Sequence, residues 1–357
     1  MVNYLMPAEW EPHKAIWLSW PHDEISFPGR VPKVQSDVVK IISAIHPSEQ
    51  VELFILDEQM QAQASAMLLA AGVDLSKVTF RIANYMDGWM RDCGPIWVHS
   101  SSSPLPLGEG KGSSDFTLVK WIFNQWGGKF PDLLPDDALP YKIKEWLGLK
   151  MEQPELVLEG GAIDVNGQGI CLTTEQCVLN ENRNGGKTKL DVEKFLADYL
   201  GVKKTIWLWK GLVNDHTDGH IDELARFVSA NKIVCAYEDN EQDENYAILK
   251  NNYETLIGAT NLESKPFEVI KLPMPHKSFE GTAAGVSGSD AKAPVSYTNF
   301  YIGNTVVLMS VYNDPSDQKA VEIIQACFPG RKVVPIDCSD IIYGGGAIHC
   351  MTQQQPV

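Results

Sequence analysis

A cysteine behind a run of glycines, a histidine two residues before an aspartate, and two more carboxylates are the groups in this sequence best suited to chemistry. Cys350 ends the stretch GGGAIHC, in which glycines 344 to 346 are followed by Ala347, Ile348 and His349. Glycine lets backbone approach a ligand where a Cβ would clash, so the run gives a thiol clearance to reach a bound molecule. A buried structural thiol beside a tight turn would look the same. His220 and Asp222 form an H-x-D pair. On a strand, residues two apart face the same way, and both side chains would point into one site. Histidine titrates near neutrality and passes a proton in either direction, although a core histidine beside a capping aspartate has the same spacing. Glu159 precedes two glycines, and Asp92 follows Arg91 in MDGWMRD, which also carries Trp89. Taken singly, Arg91 and Asp92 read as a structural ion pair and Trp89 as core. The seven cysteines are odd in number and irregular in spacing, with no C-x-x-C pair. They form neither a disulfide framework nor a zinc ribbon.

These groups share a setting. Glu159-Gly160-Gly161-Ala162-Ile163-Asp164 resembles Gly345-Gly346-Ala347-Ile348-His349-Cys350, Gly219-His220-Ile221-Asp222 is a looser echo, and residues 90–94 sit in a similar place. Each is read as the opening of a strand. Residues 161–174 predict a hairpin turning at Asn166-Gly167, followed by a helix over 190–200 and a strand over 205–210. The scheme repeats with two strands in 220–237, a helix over 243–257 and a strand over 267–272. SYTNFYIGNTVVLMSVY, DQKAVEIIQACF and KVVPID make a third copy. A hairpin–helix–strand module thus recurs about every 60–75 residues, the mark of a repeat architecture. In the N-terminal part, AIWLSW, VELFIL and VTFRIA predict strands, while SDVVKIISAI and EQMQAQASAMLLAAG predict helices. RDCGPIWVHS and DFTLVKWIF predict another hairpin, its loop the Ser- and Gly-rich stretch at 100–115, which reads as a solvated turn. Modules packed around an axis would bring their strand openings to one point.

The chain has 357 residues, 44% of them hydrophobic and ten of them tryptophan, enough for a large core. No stretch approaches the roughly 20 apolar residues of a membrane helix. The start, MVNYLMPAEWEPHK, lacks the basic and apolar runs of a signal peptide. A cytoplasmic protein that engages no membrane is expected. The net charge of −16 opposes nucleic-acid binding and would attract a small cation.

MPAEWEPHKAIWLSWP, GWMRDCGP, EGGAIDVNGQG, TDGHIDELARF and GGGAIHCMTQQQP together resemble the agmatine deiminases of the peptidylarginine-deiminase-like group. The motifs run from residue 6 to residue 356. The resemblance implies one α/β domain over 1–357, a five-bladed pseudo-symmetric α/β-propeller of the pentein type around a central channel. It implies Cys350 as nucleophile, His220 as general acid and base, and Glu159 as the group positioning that histidine. Asp92 and Asp222 would hold a guanidinium, Trp89 would line the substrate's aliphatic arm, and no metal or organic cofactor would take part. The chemistry is consistent: a guanidinium is a planar, permanent cation with a fork of donors that carboxylates match. Covalent attack by a thiolate would split its difficult substitution into two easier steps. Two carboxylates near that thiol should hold it protonated, and the bound cation should release it.

VNDHTDGHID departs from the plant-type members, in which the stretch before the H-x-D pair is closer to DDTNGH. His216 and Asp218 are therefore expected to meet the far end of the substrate in a different way. That leaves agmatine, the first choice, open against free or peptidyl arginine. The rival chemistry is a zinc amidohydrolase using His216, His220 and Asp222. Asp218 and Gly219 weaken the helix that would bring those histidines together, and Cys350 would then have no role. A second rival is a binding protein that kept the fold without the catalysis. The oligomeric state, a homodimer included, stays open.

Overall fold

Hairpin, helix, strand is the order in which the chain folds from Asp164 onward. The computed structural model describes residues 3–101, 115–279 and 293–357. Most of the loop read at 100–115 lies outside the described residues. Ile170–Thr174 pairs antiparallel with Asp164–Val165 and parallel with Lys204–Leu208. The helix Lys189–Leu200 makes the crossover. Its start is fixed by a capping box between Thr188 and Asp191, and its end by Gly201 in a left-handed conformation. Lys232–Tyr237 repeats this with Ala225–Ser229 antiparallel, the helix Tyr246–Gly258, and Glu268–Pro273 parallel. Val306–Val311 does so with Tyr301–Ile302, Asp317–Cys327 and Lys332–Asp337.

Two further sheets follow the plan with additions. Asp115–Val119 pairs antiparallel with Ile96–Ser101 and parallel with Lys150–Glu152, the helix Leu139–Leu147 lying between. Asn3–Leu5 extends that sheet. In the last sheet His13–Ser19 pairs parallel with Gln50–Ile55, which pairs with Val78–Ile82. The antiparallel partner of His13–Ser19 is Gln353–Pro356, so this module joins residues more than 330 positions apart in sequence. The helix Val31–Ile45 shows why the layers close: Val31, Val34, Val38, Ile41, Ile42 and Ile45 fall on one buried stripe at helical spacing. The result is a mixed α/β fold of five sheets among the described residues. No helix there is long and apolar enough to cross a membrane.

The repeated motifs do not open strands directly, and this corrects the sequence expectation. Met90–Cys93, Gly160–Ala162, Ile221–Glu223 and Ile348–Met351 are single helical turns. Each stands just before a strand: Ile96–Ser101, Asp164–Val165, Ala225–Ser229 and Gln353–Pro356. His220 and Asp222 are brought together by such a turn, not by the two-residue period of a strand.

Candidate active site

Three of these turns meet at Gly161. A Cβ there would lie 2.6 Å from His220 Nδ1, 2.8 Å from Asp92 Oδ1 and 3.1 Å from Asp222 Oδ2. The bare Cα is what lets the three side chains converge. Asp92 is held in place by the Gly161 N–H at 2.9 Å on one oxygen and the Trp126 indole N–H at 2.9 Å on the other. The buried His220 ring lies 3.7 Å from Asp92 and 3.9 Å from Glu159, outside hydrogen-bond reach, and neither ring nitrogen has a hydrogen-bond partner. Glu159 accepts from Arg183 Nε at 2.5 Å through its other oxygen.

Cys350 is clamped by Asn299. The Asn299 amide nitrogen sits 3.1 Å from Sγ and also donates to Glu223 Oε1 at 2.7 Å, while its carbonyl accepts the His349 and Cys350 N–H groups at 3.0 and 3.3 Å. Asp222 Oδ2 lies 3.6 Å from the sulfur and Glu223 Oε1 3.9 Å from it. Asp222 Oδ1 and Glu223 Oε2 are buried without a hydrogen-bond partner. A Cβ on Gly346 would stand 3.0 Å from Sγ and 3.1 Å from the Trp89 ring. The bare Cα at Gly346 therefore leaves room between the thiol and Trp89.

The charges fit a cation-binding site. Burial raises the Cys350 thiol well above its ordinary value, and Asp222, Glu223 and Asp92 add to the shift. Burial, against the pull of His220 and with help from Asp222 and Glu159, lifts Asp92 to about 6. Glu223 is raised well above the carboxylate range by burial and Asp222. Burial disfavours the His220 cation, yet Asp92, Cys177 and Glu159 outweigh it and hold the imidazole well above its usual value. Glu159 goes the other way: Arg183 and His220 overcome burial and lower it. A buried chamber thus holds more acidic groups than the cations facing it balance, and a flat cation would complete it.

A narrow cavity lined by Ile25, Asp87, Trp89, Trp126, Phe130 and His216 adjoins this chamber. Trp89 donates its indole N–H to the Asp87 carboxylate. His216 packs edge-on against Trp126 and Phe130, and burial lowers its pKa to about 4, leaving it neutral. Asp218 is engaged elsewhere: its Oδ2 accepts from Lys129 at 2.7 Å, Arg183 at 3.0 Å and Asn182 at 3.1 Å.

Cys350, His220, Glu159, Asp92, Asp222 and Trp89 are thus gathered at one place, with Asp218 one layer behind Glu159. The zinc set imagined from His216, His220 and Asp222 does not form. The groups with ligand atoms within 4.8 Å of one another among the described residues are instead Glu159–Cys177–His220 and Asp222–Glu223–Cys350. Reading the sequence missed Asn299, Glu223, Cys177 and Trp126. Asn299 had a signal available, because it precedes the strand Tyr301–Ile302 as the other site residues precede theirs.

The sequence model of the Porphyromonas-type peptidyl-arginine deiminases matches residues 5–356. A curated relative from Latilactobacillus sakei, provisionally named agmatine deiminase, is 35% identical over 369 residues, covering 99% of this chain and 96% of its own. The solved agmatine deiminase of Enterococcus faecalis matches with a TM-score of 0.87 at 31% identity, over 99% of this chain and 96% of that one. A cysteine-to-serine variant of C. jejuni agmatine deiminase, solved with substrate bound, matches with a TM-score of 0.83 at 26% identity, over the same shares.

Proposed function

The chain belongs to the Porphyromonas-type peptidyl-arginine deiminase family, and on that footing we propose that it hydrolyses agmatine to N-carbamoylputrescine and ammonia. The carrying observation is the unpartnered, buried oxygens of Asp222 and Glu223 beside the Cys350 thiol, near an imidazole whose nitrogens are also free. A guanidinium supplies the N–H donors those oxygens lack. Asp92 and Asp222 hold it, Glu223 adds a third contact, and its charge favours the thiolate. Sγ attacks the central carbon, His220 protonates the departing ammonia, and an amidino-cysteine remains. His220, positioned by Glu159, then takes a proton from water as it attacks that carbon. The carbon–sulfur bond breaks, releasing the ureido product and the thiol.

The aliphatic arm lies along Trp89 toward the aromatic cavity, and the terminal ammonium meets Asp87 and the ring faces there. Free arginine would bring its carboxylate to this end. Lys129, the cation beside His216, is already bound to Asp218 and to the His216 carbonyl, which favours the amine over the amino acid. In this reading the five sheets are blades of one propeller domain over 1–357, each sending one turn or loop to a central channel. The enzyme is cytoplasmic and serves polyamine synthesis.

Ammonia release from agmatine, free arginine and a peptidyl arginine tests the assignment, agmatine being the expected substrate. Cys350→Ser is expected to lose turnover by about 10³-fold or more while still binding agmatine by calorimetry. Full activity in that variant would end the cysteine mechanism.

A further inference from the structure

His349 is buried with carboxylate oxygens at both ends of its ring. Nδ1 lies 2.7 Å from Asp222 Oδ2 and Nε2 lies 2.8 Å from Glu9 Oε2. A neutral imidazole has one N–H, so with two ionised carboxylates one contact would set lone pair against lone pair. Two donors remove the conflict, and they make the ring a cation. The surroundings support ionised carboxylates on both sides. Glu9 also accepts from Arg226 at 2.7 Å and from the Ile302 N–H at 2.7 Å, with Arg91 at 3.6 Å. Burial would raise Glu9, but Arg226, His349 and Arg91 hold it well below the carboxylate range. At Asp222, His349, His220 and Arg226 likewise outweigh burial and lower it. Arg91 Nε further fixes the turn by donating to the His349 carbonyl at 3.3 Å.

Resting on the reading of Asp222 and Cys350 above, we infer that His349 is a positioning residue: a cation fixed between Glu9 and Asp222 that orients Asp222 and offsets its charge beside the thiol. Occupying Oδ2 leaves Oδ1, the unpartnered oxygen, for the substrate. The same cation offsets the field of a carboxylate 3.6 Å from Sγ, where an uncompensated charge would oppose the thiolate. Arg91 and Arg226 stand behind Glu9 and anchor the chain Glu9–His349–Asp222 from its outer end.

Two amide replacements separate orientation from charge. Asn at 349 places its amide near Nδ1 and keeps a hydrogen bond to Asp222 without the charge. Gln reaches toward Nε2 and keeps the Glu9 contact alone. The first readout is the rate of Cys350 alkylation by iodoacetamide against pH without substrate, with Cys350→Ser subtracting the other thiols. This readout stands even if agmatine proves not to be the substrate. His349→Asn and His349→Gln should both move the alkylation profile to higher pH, slowing the reaction at pH 7 about tenfold for each pKa unit. With substrate, His349→Asn should lower kcat and leave KM close to wild type, whereas His349→Gln, with Asp222 released, should also raise KM. If neither variant folds by circular dichroism, Glu9→Gln is read in the same assay, since it removes the outer charge and keeps the shape. An alkylation profile matching wild type in whichever of these folds would overturn the inference.

Discussion

At the scale of the residue, Asp92 joins geometry to a measurable proton. Burial keeps its carboxyl partly protonated near pH 6, and a guanidinium placed against it favours the ionised form. Binding must then expel a proton below about pH 6, where Asp92 still holds one, and need not do so for this group at pH 8. Cys350→Ser titrated with agmatine, by calorimetry in two buffers of different ionisation enthalpy, should release about one more proton per site at pH 5 than at pH 8. Equal release at both values would remove Asp92 from the guanidinium site. Side chains of this kind were legible in the sequence because rare types recur beside glycine: Glu159, His220, Asp222 and Cys350 all lie in echoing motifs. Glu223 was not, because a second acid after Asp222 carries no spacing signal, and Asn299 was signalled only by its place ahead of the strand Tyr301–Ile302, though both touch the sulfur. Their importance comes from contacts between positions 51 and 127 residues from Cys350.

At the scale of the element, the hairpins and helices of the repeated modules were readable from apolar period, caps and turn residues. The helix Lys189–Leu200, with its capping box and C-terminal glycine, shows how local that information is. The turns that present the chemistry were not readable as turns, since three or four residues are too few to show a helical period. The pairing of Gln353–Pro356 with His13–Ser19 was hidden for the opposite reason, being non-local. The turn Gly160–Ala162 is the sharpest test of this layer. It brings Gly161 against the His220 ring and the Asp92 and Asp222 carboxylates, and a methyl group at 2.6 Å from Nδ1 must displace one of them. Gly161→Ala is expected to lower kcat/KM about 100-fold, the scale of a displacement near 1 Å in a catalytic group. Its fold, judged by far-ultraviolet circular dichroism, should be kept. Wild-type kinetics in this variant would show that the convergence at Gly161 does not set the reaction geometry.

At the scale of the whole molecule, the excess of acidic groups extends beyond the chamber. The chain carries 46 Asp and Glu against 30 Lys and Arg, a net charge of −16. Such a field raises the local concentration of a small cation and speeds its capture, and salt screens it over a Debye length of about 30 Å at 0.01 M and about 10 Å at 0.1 M. Inside the buried site the contacts are short, so salt reaches them far less. The two regimes predict a split. Raising potassium chloride from 0.01 to 0.3 M should lower kcat/KM for agmatine several-fold, while kcat at saturation stays nearly constant. A neutral guanidine surrogate, with neither the guanidinium nor the ammonium charge, should bind with little salt dependence under the same conditions. If kcat fell with salt as steeply as kcat/KM, the charge would be acting on chemistry within the chamber, and long-range steering of the cation would be wrong. If neither changed, the surface charge would serve solubility alone, and capture would rest on Asp92, Asp222 and Glu223 at contact distance.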